Sequence, residues 1–434
     1  MPRTTRKSQS GSAIGTLIVL AVVIVLGIYF ARTGSDPLGL FGDGATATRV
    51  TVPTFTPAPA IVITSVAPPA TNTPAPQANV APPATKTPAP ASWYEVGFVS
   101  PIRVRAAEEE EYGSKGIPAN LLKGSLTEKL IKYIDAAQIS IHIASFETDI
   151  VDIANALIRA HERGVEVQWI TDDEFGLESD EEPGHGQFAL MQERGIEIID
   201  DQRGGLMHNK FWLFDNEVVW TGSTNITISG MFEQDNNLII IKSSELAAIY
   251  EQQFAEMWAG EMGARSPSDV EAQRVTVQDT QIQVLFSPED DAIKSILPYI
   301  QNAQSSIRFL AFSYTQPDLG AAMRERIKNG ITVEGVYETV GSDTQYSQML
   351  PLQCAGGQMR QDTNFAFMHH KVIIIDKRYV ITGSLNFSDS ANSKNNENVI
   401  IIDNPAIAKQ YLAEFERIWN ISQTLDPEKF KCKP

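Results

Sequence analysis

Two short stretches of this 434-residue chain carry residue types suited to handling an anionic centre. The first reads His208-Asn209-Lys210-Phe211-Trp212-Leu213-Phe214-Asp215, followed by Gly222-Ser223-Thr224-Asn225. The second reads His369-His370-Lys371-Val372-Ile373-Ile374-Ile375-Asp376, followed by Gly383-Ser384-Leu385-Asn386. In both, Lys lies 2 residues after the His, Asp 7, Gly 14 and Asn 17. Residues two apart on a strand face the same way, so each His projects with its Lys, while His370 points oppositely and reads as structural. A second strand ending in Gly-Ser-x-Asn returns a hydroxyl and an amide to the same edge. That set suits a phosphodiester. A neutral imidazole can attack phosphorus, and a second, protonated one can donate to the leaving oxygen and then activate water. Lys210 and Lys371 place positive charge where the transition state gathers negative charge. Ser223, Asn225, Ser384 and Asn386 are the candidate donors to the phosphoryl oxygens.

Asp215 and Asp376 complete the candidate catalytic set on spacing. Each also opens a tight turn (Asp215-Asn216, Asp376-Lys377), where Asp is favoured for local hydrogen bonding, and that structural reading is the stronger. Glu397, in Asn396-Glu397-Asn398, is the better candidate to orient a catalytic imidazole, because it resembles the Glu that does so at this spacing in similar single-motif nucleases. Its first-half counterpart is Asn236, beside Asp235, so the group that orients His208 stays open. His142, on a strand, His161, closing a helix, and His185, in an acidic loop, read as structural or solvated.

The elements that position these residues repeat. Lys132–Gln138 resembles Pro298–Gln304 at an offset of 166, which also aligns Phe146 with Phe312 and Gly164 with Gly330. At an offset of 161, Tyr250, Phe254 and Trp258 match Tyr411, Phe415 and Trp419, spaced as the buried stripe of a helix. Two halves are expected, at 93–262 and 275–425. Each alternates strand (139–146; 306–312), helix stopped by glycine, and strand (165–171; 331–337). This order implies parallel pairing with helices on the faces of the sheet. Ser125 and Ser287 are the expected N-caps of the helices that open the two halves.

Composition sets the context. Asp and Glu number 53 against 35 Lys and Arg, a net charge of −18. Residues 1–92 hold six basic and two acidic residues, which leaves −22 on the remainder. Residues 13–31 are uncharged and rich in Leu, Ile and Val, long enough for a transmembrane anchor. Arg3, Arg6 and Lys7 place residues 1–12 in the cytoplasm and everything downstream outside the cell. Residues 32–92 form a Pro/Thr/Ala-rich linker: 11 of the 24 prolines fall between Pro53 and Ser92, a composition for an extended spacer. The expected localisation is the cell membrane, single-pass, with the catalytic part extracellular. A disulfide between Cys354 and Cys432, compatible with that compartment, is left open.

The paired His-x-Lys-x4-Asp stretches, each followed by Gly-Ser-x-Asn, closely resemble the motif of the phospholipase D superfamily, in its two-motif form, over about residues 94–420. The resemblance implies an α/β fold: two similar halves, each a mixed, mostly parallel sheet flanked by helices, packed about a pseudo-two-fold axis with the active site between them. It implies a phosphohistidine intermediate, with His208 the nucleophile and His369 the acid/base, and no metal or other cofactor. One chain supplies both motifs, so a monomer suffices.

The family motif specifies the bond, not the substrate. Hydrolysis of phospholipid at a membrane surface to phosphatidic acid and a free head-group alcohol is the first expectation, because an anchored body of charge −22 disfavours nucleic acid. The acids at 172, 173, 174, 178 and 180–182 either attract a cationic head group or form a solvated loop. The alternatives are a metal-independent endonuclease, a phosphatidyltransferase of cardiolipin synthase type, and a tethered binding module with a vestigial site.

Overall fold

The computed structural model describes residues 92–432 apart from 265, 267–269, 271 and 272. The expected cytoplasmic segment, the 13–31 anchor and all but the last residue of the linker lie outside the described residues. Among the described residues no helix is long and apolar enough to cross a membrane.

The described strands form two sheets. In spatial order the first is β1 (Tyr94–Phe98), β7 (Asn237–Lys242), β6 (Val218–Gly222), β5 (Lys210–Phe214), β2 (Ser140–Ser145), β3 (Glu166–Thr171) and β4 (Glu197–Asp200). The second is β16 (Gln423–Thr424), β12 (Gln358–Gln361), β11 (Thr332–Tyr337), β10 (Ser306–Ala311), β13 (Lys371–Ile375), β14 (Tyr379–Gly383), β15 (Glu397–Asp403), β9 (Thr280–Ser287) and β8 (Arg274–Val277). Parallel pairing occurs where a helix connects the strands, β2 to β3 to β4 and β10 to β11 to β12. The other pairs are antiparallel and outnumber these, so the expectation of mostly parallel sheets is corrected: both are mixed and largely antiparallel. The cause is the turn after each motif strand. Asp215 and Asn216 have φ of 55° and 56°, and Asp376 and Lys377 have 53° and 56°. Two successive left-handed residues make the tight reversal that joins β5 to β6 and β13 to β14 as hairpins.

Three apolar clusters account for the layering. The helices Leu126–Ala136 and Val151–Glu162 cover one face of the first sheet, with Leu130, Ile134, Ile153 and Leu157 buried. The helices Ala292–Gln301 and Pro317–Lys328 do the same for the second, with Ile293, Ile296, Leu319 and Met323 buried. The remaining cluster lies between the sheets and takes residues from both, including Phe211, Ile239, Val372 and Ile400. It also takes Tyr250 and Phe254 from the Ser244–Trp258 helix and Tyr411 and Phe415 from the Pro405–Ile421 helix. This shared burial, the main stabilising term for apolar side chains, makes the halves one packed body.

Ser125 caps its helix as expected, its Oγ accepting from Glu128 N–H at 3.1 Å. Ser287 does not cap: it stays in the ladder, paired with Glu397, and the helix begins at Ala292 with Asp291 as its cap. Cys354 and Cys432 are joined in a disulfide with Cα atoms 5.4 Å apart, tying the C-terminal tail to the second half.

Candidate active site

Each motif histidine sits just before the strand that carries its lysine, and each approach segment crosses to the other half. His208 N–H donates to Asn396 O at 2.9 Å, and Asn396 N–H donates to Leu206 O at 2.8 Å. At the 161-residue offset the same pattern recurs with the halves exchanged. His369 N–H donates to Asp235 O, and Asp235 N–H to Phe367 O, both at 2.9 Å. The side chains one residue further on therefore meet the opposite half's imidazole. Glu397 Oε2 lies 2.8 Å from His208 Nδ1, and Asn236 Oδ1 lies 3.0 Å from His369 Nδ1. The group left open for His208 is thus Glu397, supplied by the second half.

The lysines are held alike. Lys210 Nζ donates to His208 O at 3.0 Å and Lys371 Nζ to His369 O at 2.9 Å. Phe146 and Phe312, the aligned pair, each meet an imidazole edge-on, with ring centroids 5.1 and 4.8 Å apart. The same rings lie under the ammonium groups, Lys210 at 5.1 Å and Lys371 at 4.7 Å, where the negative face of the ring attracts a cation.

All four groups are buried, and burial disfavours the charged form. The His208 imidazolium is pushed down to about 4, chiefly by burial and against the pull of Glu397. His369 lies well below its ordinary value, from burial and then from Lys371 and Lys210. Burial brings Lys210 down to about 8 and Lys371 well below the usual ammonium range. Burial thus favours neutral imidazoles, and an anionic phosphodiester beside them favours their protonation.

The Gly-Ser-x-Asn ends hold the orienting residues. A Cβ on Gly222 would fall 2.2 Å from Asn237 O, and one on Gly383 would fall 2.1 Å from Asn398 O, at φ of 154° and 138°. Only glycine lets β6 and β14 pass so close. Ser223 and Ser384 are fully buried. Ser223 Oγ donates to Asn236 Oδ1 at 2.8 Å, and Ser384 Oγ accepts from Asn398 N–H at 2.9 Å. The hydroxyl of Ser223 is thus committed to Asn236 as a donor, whereas Ser384 Oγ is engaged as an acceptor. Asn225 is 9% exposed and its Oδ1 is buried with no partner among the described residues; the Oδ1 of Asn386 is likewise buried and unpartnered. These amides remain the ones placed to turn to a ligand.

Asp215 and Asp376 sit at the far ends of β5 and β13, five residues beyond the lysines. Asp215 accepts from the N–H groups of Gln138, Ile139 and Ser140, Ile139 at 2.7 Å. Asp376 accepts from those of Gln304, Ser305 and Ser306, Ser305 at 2.7 Å. They clamp the strand starts opposite the histidines, so their place in the catalytic set is corrected to a structural one. His370 is buried between Asn237 and Glu414, as its opposite facing predicts. His142 pairs with Glu251 and stacks on Phe254.

Of the acidic loop, Asp172 accepts from Met207 N–H at 3.0 Å, so it braces the residue before His208. Asp180 accepts from the N–H groups of Gly186, Phe188 and Ala189. Sequence reasoning missed Glu147, whose Oε1 accepts from Asn225 Nδ2 at 2.6 Å. The signal was the 166-residue offset: one residue past Phe146 and Phe312 stand Glu147 and Ser313.

A family model described as cardiolipin synthase, PLD-like domain, matches residues 130–258 and 296–419, more than half of the chain. The mitochondrial cardiolipin hydrolase of Mus musculus is 34% identical over 145 residues, 33% of this chain and 64% of that protein. The phospholipase D of Rickettsia prowazekii is 34% identical over 131 residues, 30% of this chain and 64% of that protein. The chain thus spans slightly less than two thirds of these curated relatives' length. Among solved structures, phosphatidylserine synthase from Haemophilus influenzae shares the fold, with a TM-score of 0.53 at 15% identity over 69% of this chain and 85% of that one. Each matched segment contains one His-x-Lys pair and one Gly-Ser-x-Asn end, and the chain belongs to the phospholipase D superfamily.

Proposed function

We propose that this chain is a phospholipase D-type phosphodiesterase that hydrolyses phospholipid to phosphatidic acid and the free head-group alcohol. The observation that carries the reading is the 2.8 Å contact between His208 Nδ1 and Glu397. It keeps the Nδ1 proton on the carboxylate side and leaves the Nε2 lone pair as nucleophile. Nε2 attacks phosphorus, the bond from phosphorus to the head-group oxygen breaks, and protonated His369 gives that oxygen its proton. Water then attacks phosphorus and loses a proton to His369, the P–N bond breaks, and His208 is restored. Lys210 and Lys371 offset the charge on the phosphoryl oxygens throughout. The asymmetry of the partners supports this division of roles. A carboxylate raises the basicity of the attacking imidazole, while a neutral amide at His369 leaves a stronger acid.

The lipid reading is supported by the names of the mouse and rickettsial relatives and by the charge of −22 beyond residue 92, which repels polyanions. The 13–31 segment would anchor the body on the outer face of the cell membrane, beside its substrate.

The full chain is to be tested on vesicles with labelled phosphatidylcholine and on plasmid DNA, each with and without EDTA. Expected are phosphatidic acid and choline, no release by His208→Ala, and an alkali-stable phosphohistidine at residue 208 after a rapid quench. Nicked plasmid with intact lipid would replace this reading by the nuclease one. No turnover of either, with no phosphohistidine at 208 or 369, would leave a binding module.

A further inference from the structure

The mouth of the site has two lips, related by the repeat and opposite in character. On the first-half side, residues 173–182 carry six acids and no base. Phe175 in that stretch packs on Phe146, the ring that meets His208. The matching stretch after β11, residues 339–348, has one acid, Asp343, and Lys429 pairs with it at 2.9 Å. At the 166-residue offset Val340 stands where the first half has Glu174, and at 161 Phe365 stands where it has Gly204. Phe367, two residues past Phe365, packs on Phe312, the ring that meets His369. Large apolar side chains gather on this second lip. Ile102, Val340, Phe365 and Ile421 are 38%, 62%, 42% and 53% exposed. Thr363 Oγ1 donates to Ile421 O at 2.9 Å, and Thr339 Oγ1 to Asp362 O at 2.8 Å. The Arg103 guanidinium lies 4.4 Å from the centroid of the Phe365 ring. The four apolar residues thus surround 362–366, the segment that leads into His369.

Resting on the phospholipid reading, we infer that this second-half lip is the face laid on a phospholipid bilayer. Ile102, Val340, Phe365 and Ile421 enter the interfacial zone, Arg103 lies at the level of the phosphates, and the acidic lip of the first half is held away. Single exposed apolar side chains are ordinary, but four around the entrance to one histidine mark an interaction surface. Charge selects the occupant: bilayer phosphates are attracted to Arg103 and repelled by the six acids of the other lip. An aromatic ring with a guanidinium over it is an amphipathic pair suited to the boundary between head groups and acyl chains. If residues 13–31 anchor the chain, the 32–92 linker is long enough that the body's own surface must choose the face it presents.

The test uses the full chain in phosphatidylcholine vesicles that carry a nitroxide-labelled lipid as quencher. The two native cysteines are joined in a disulfide, so Phe365→Cys, Val340→Cys, Glu174→Cys and Ile139→Cys each offer one thiol for a fluorophore. Ile139 is 63% exposed and sits at the strand starts held by Asp215, away from the histidines. Quenching at 365 and 340 should exceed that at 174 and 139 roughly threefold or more, since interfacial insertion is only about 5–10 Å deep. The Val340→Glu/Phe365→Gly double variant copies the first half onto the second. It should slow phosphatidic acid formation on vesicles about tenfold, for the loss of two apolar side chains from the interface. Its turnover of soluble bis(4-nitrophenyl) phosphate should stay within about twofold, as for other surface substitutions. Equal quenching at all four positions, the strongest quenching at 174, or none at any overturns the inference, whether or not the double variant folds. A signal at 365 that changes with protein concentration in the absence of vesicles overturns it in favour of a second copy of this chain. Selective quenching at 365 and 340 by a chain that nicks plasmid and leaves lipid intact upholds the docking face and overturns the phospholipid reading.

Discussion

Glu397 Oε2 and His208 Nδ1 are 2.8 Å apart although 189 residues separate them. The contact joins the two halves of the repeat: the acid on β15 of one sheet orients the imidazole that leads into β5 of the other. Its counterpart, Asn236 with His369 at 3.0 Å, has the same geometry without the charge. Neither half therefore holds the full set of candidate site residues, and the interface between them is part of the proposed chemistry.

This predicts unequal costs for the two orienting residues. Glu397→Gln can turn an N–H toward His208 Nδ1 and stabilise the wrong tautomer, so kcat should fall roughly 10³-fold, as expected for a displaced general base or nucleophile. Asn236→Ala removes a neutral acceptor and should cost about tenfold, in line with an ordinary hydrogen bond. Steady-state kinetics on bis(4-nitrophenyl) phosphate give both numbers. Equal losses would mean that the carboxylate contributes nothing beyond position.

The crossing shows what a single sequence conveys and what it hides. Repetition made the two halves legible, because His, Lys, Gly and Asn recur at equal intervals and the aromatic triplets Tyr250-Phe254-Trp258 and Tyr411-Phe415-Trp419 recur with them. Glu397 and Asn236 were visible as counterparts, yet spacing within a half says nothing about which imidazole each one serves. That choice is made by the bridges Met207 to Asn396 and Asp235 to Met368, which are tertiary. Ser287 looked like a helix cap because local chemistry fits one, but the ladder with Glu397 captured it first. Ser223 is a related case: its hydroxyl, read as a phosphate donor, is spent on Asn236.

Lys210 makes the pH dependence informative. Burial holds it down to about 8, against the attraction of Glu397, Glu147 and Asp172, and Lys371 is lowered as well. As pH rises through about 8 the free enzyme loses charge that an anionic substrate needs, so kcat/KM should fall there. Guanidinium groups stay charged over this range. The Lys210→Arg/Lys371→Arg double variant, slower overall, should lack the alkaline limb. A limb at the same pH in that variant would assign it to another group.

Asp215 and Asp376 offer a contrast with the residues that share their motif. Each carboxylate accepts from three consecutive backbone N–H groups at a strand start, and each residue has positive φ. Asp215→Ala removes the acceptor and places alanine in the left-handed region, for a loss of about 2–3 kcal/mol. Asp215→Asn, which tolerates that region and keeps one oxygen, should lose less. Urea denaturation measures the loss. The kcat of the folded protein should stay within about threefold of the unmodified chain, and a much larger fall would return Asp215 to the chemistry.

Stability should depend on pH in the direction opposite to that set by salt-bridged acids. Burial raises Asp172 to about 6, Asp201 to about 7, Glu147 to about 7 and Glu289 to about 7. Asp362, buried beside Glu338, is raised to about 8. Unfolded, these groups titrate near pH 4. Between roughly pH 4 and 7 the folded chain holds protons that the unfolded chain has released, so stability falls as pH rises through that window. Glu414 works the other way: its carboxylate, paired with Arg417 and His370, is held down at about 2, and its contribution is lost only below about pH 4. The charge of −22 beyond residue 92 adds self-repulsion as the remaining carboxylates ionise. The urea midpoint at pH 5 should therefore exceed that at pH 8, and Asp362→Asn, which cannot ionise, should narrow the gap. A higher midpoint at pH 8 would show that these carboxyls are solvated and paired well enough to ionise without cost.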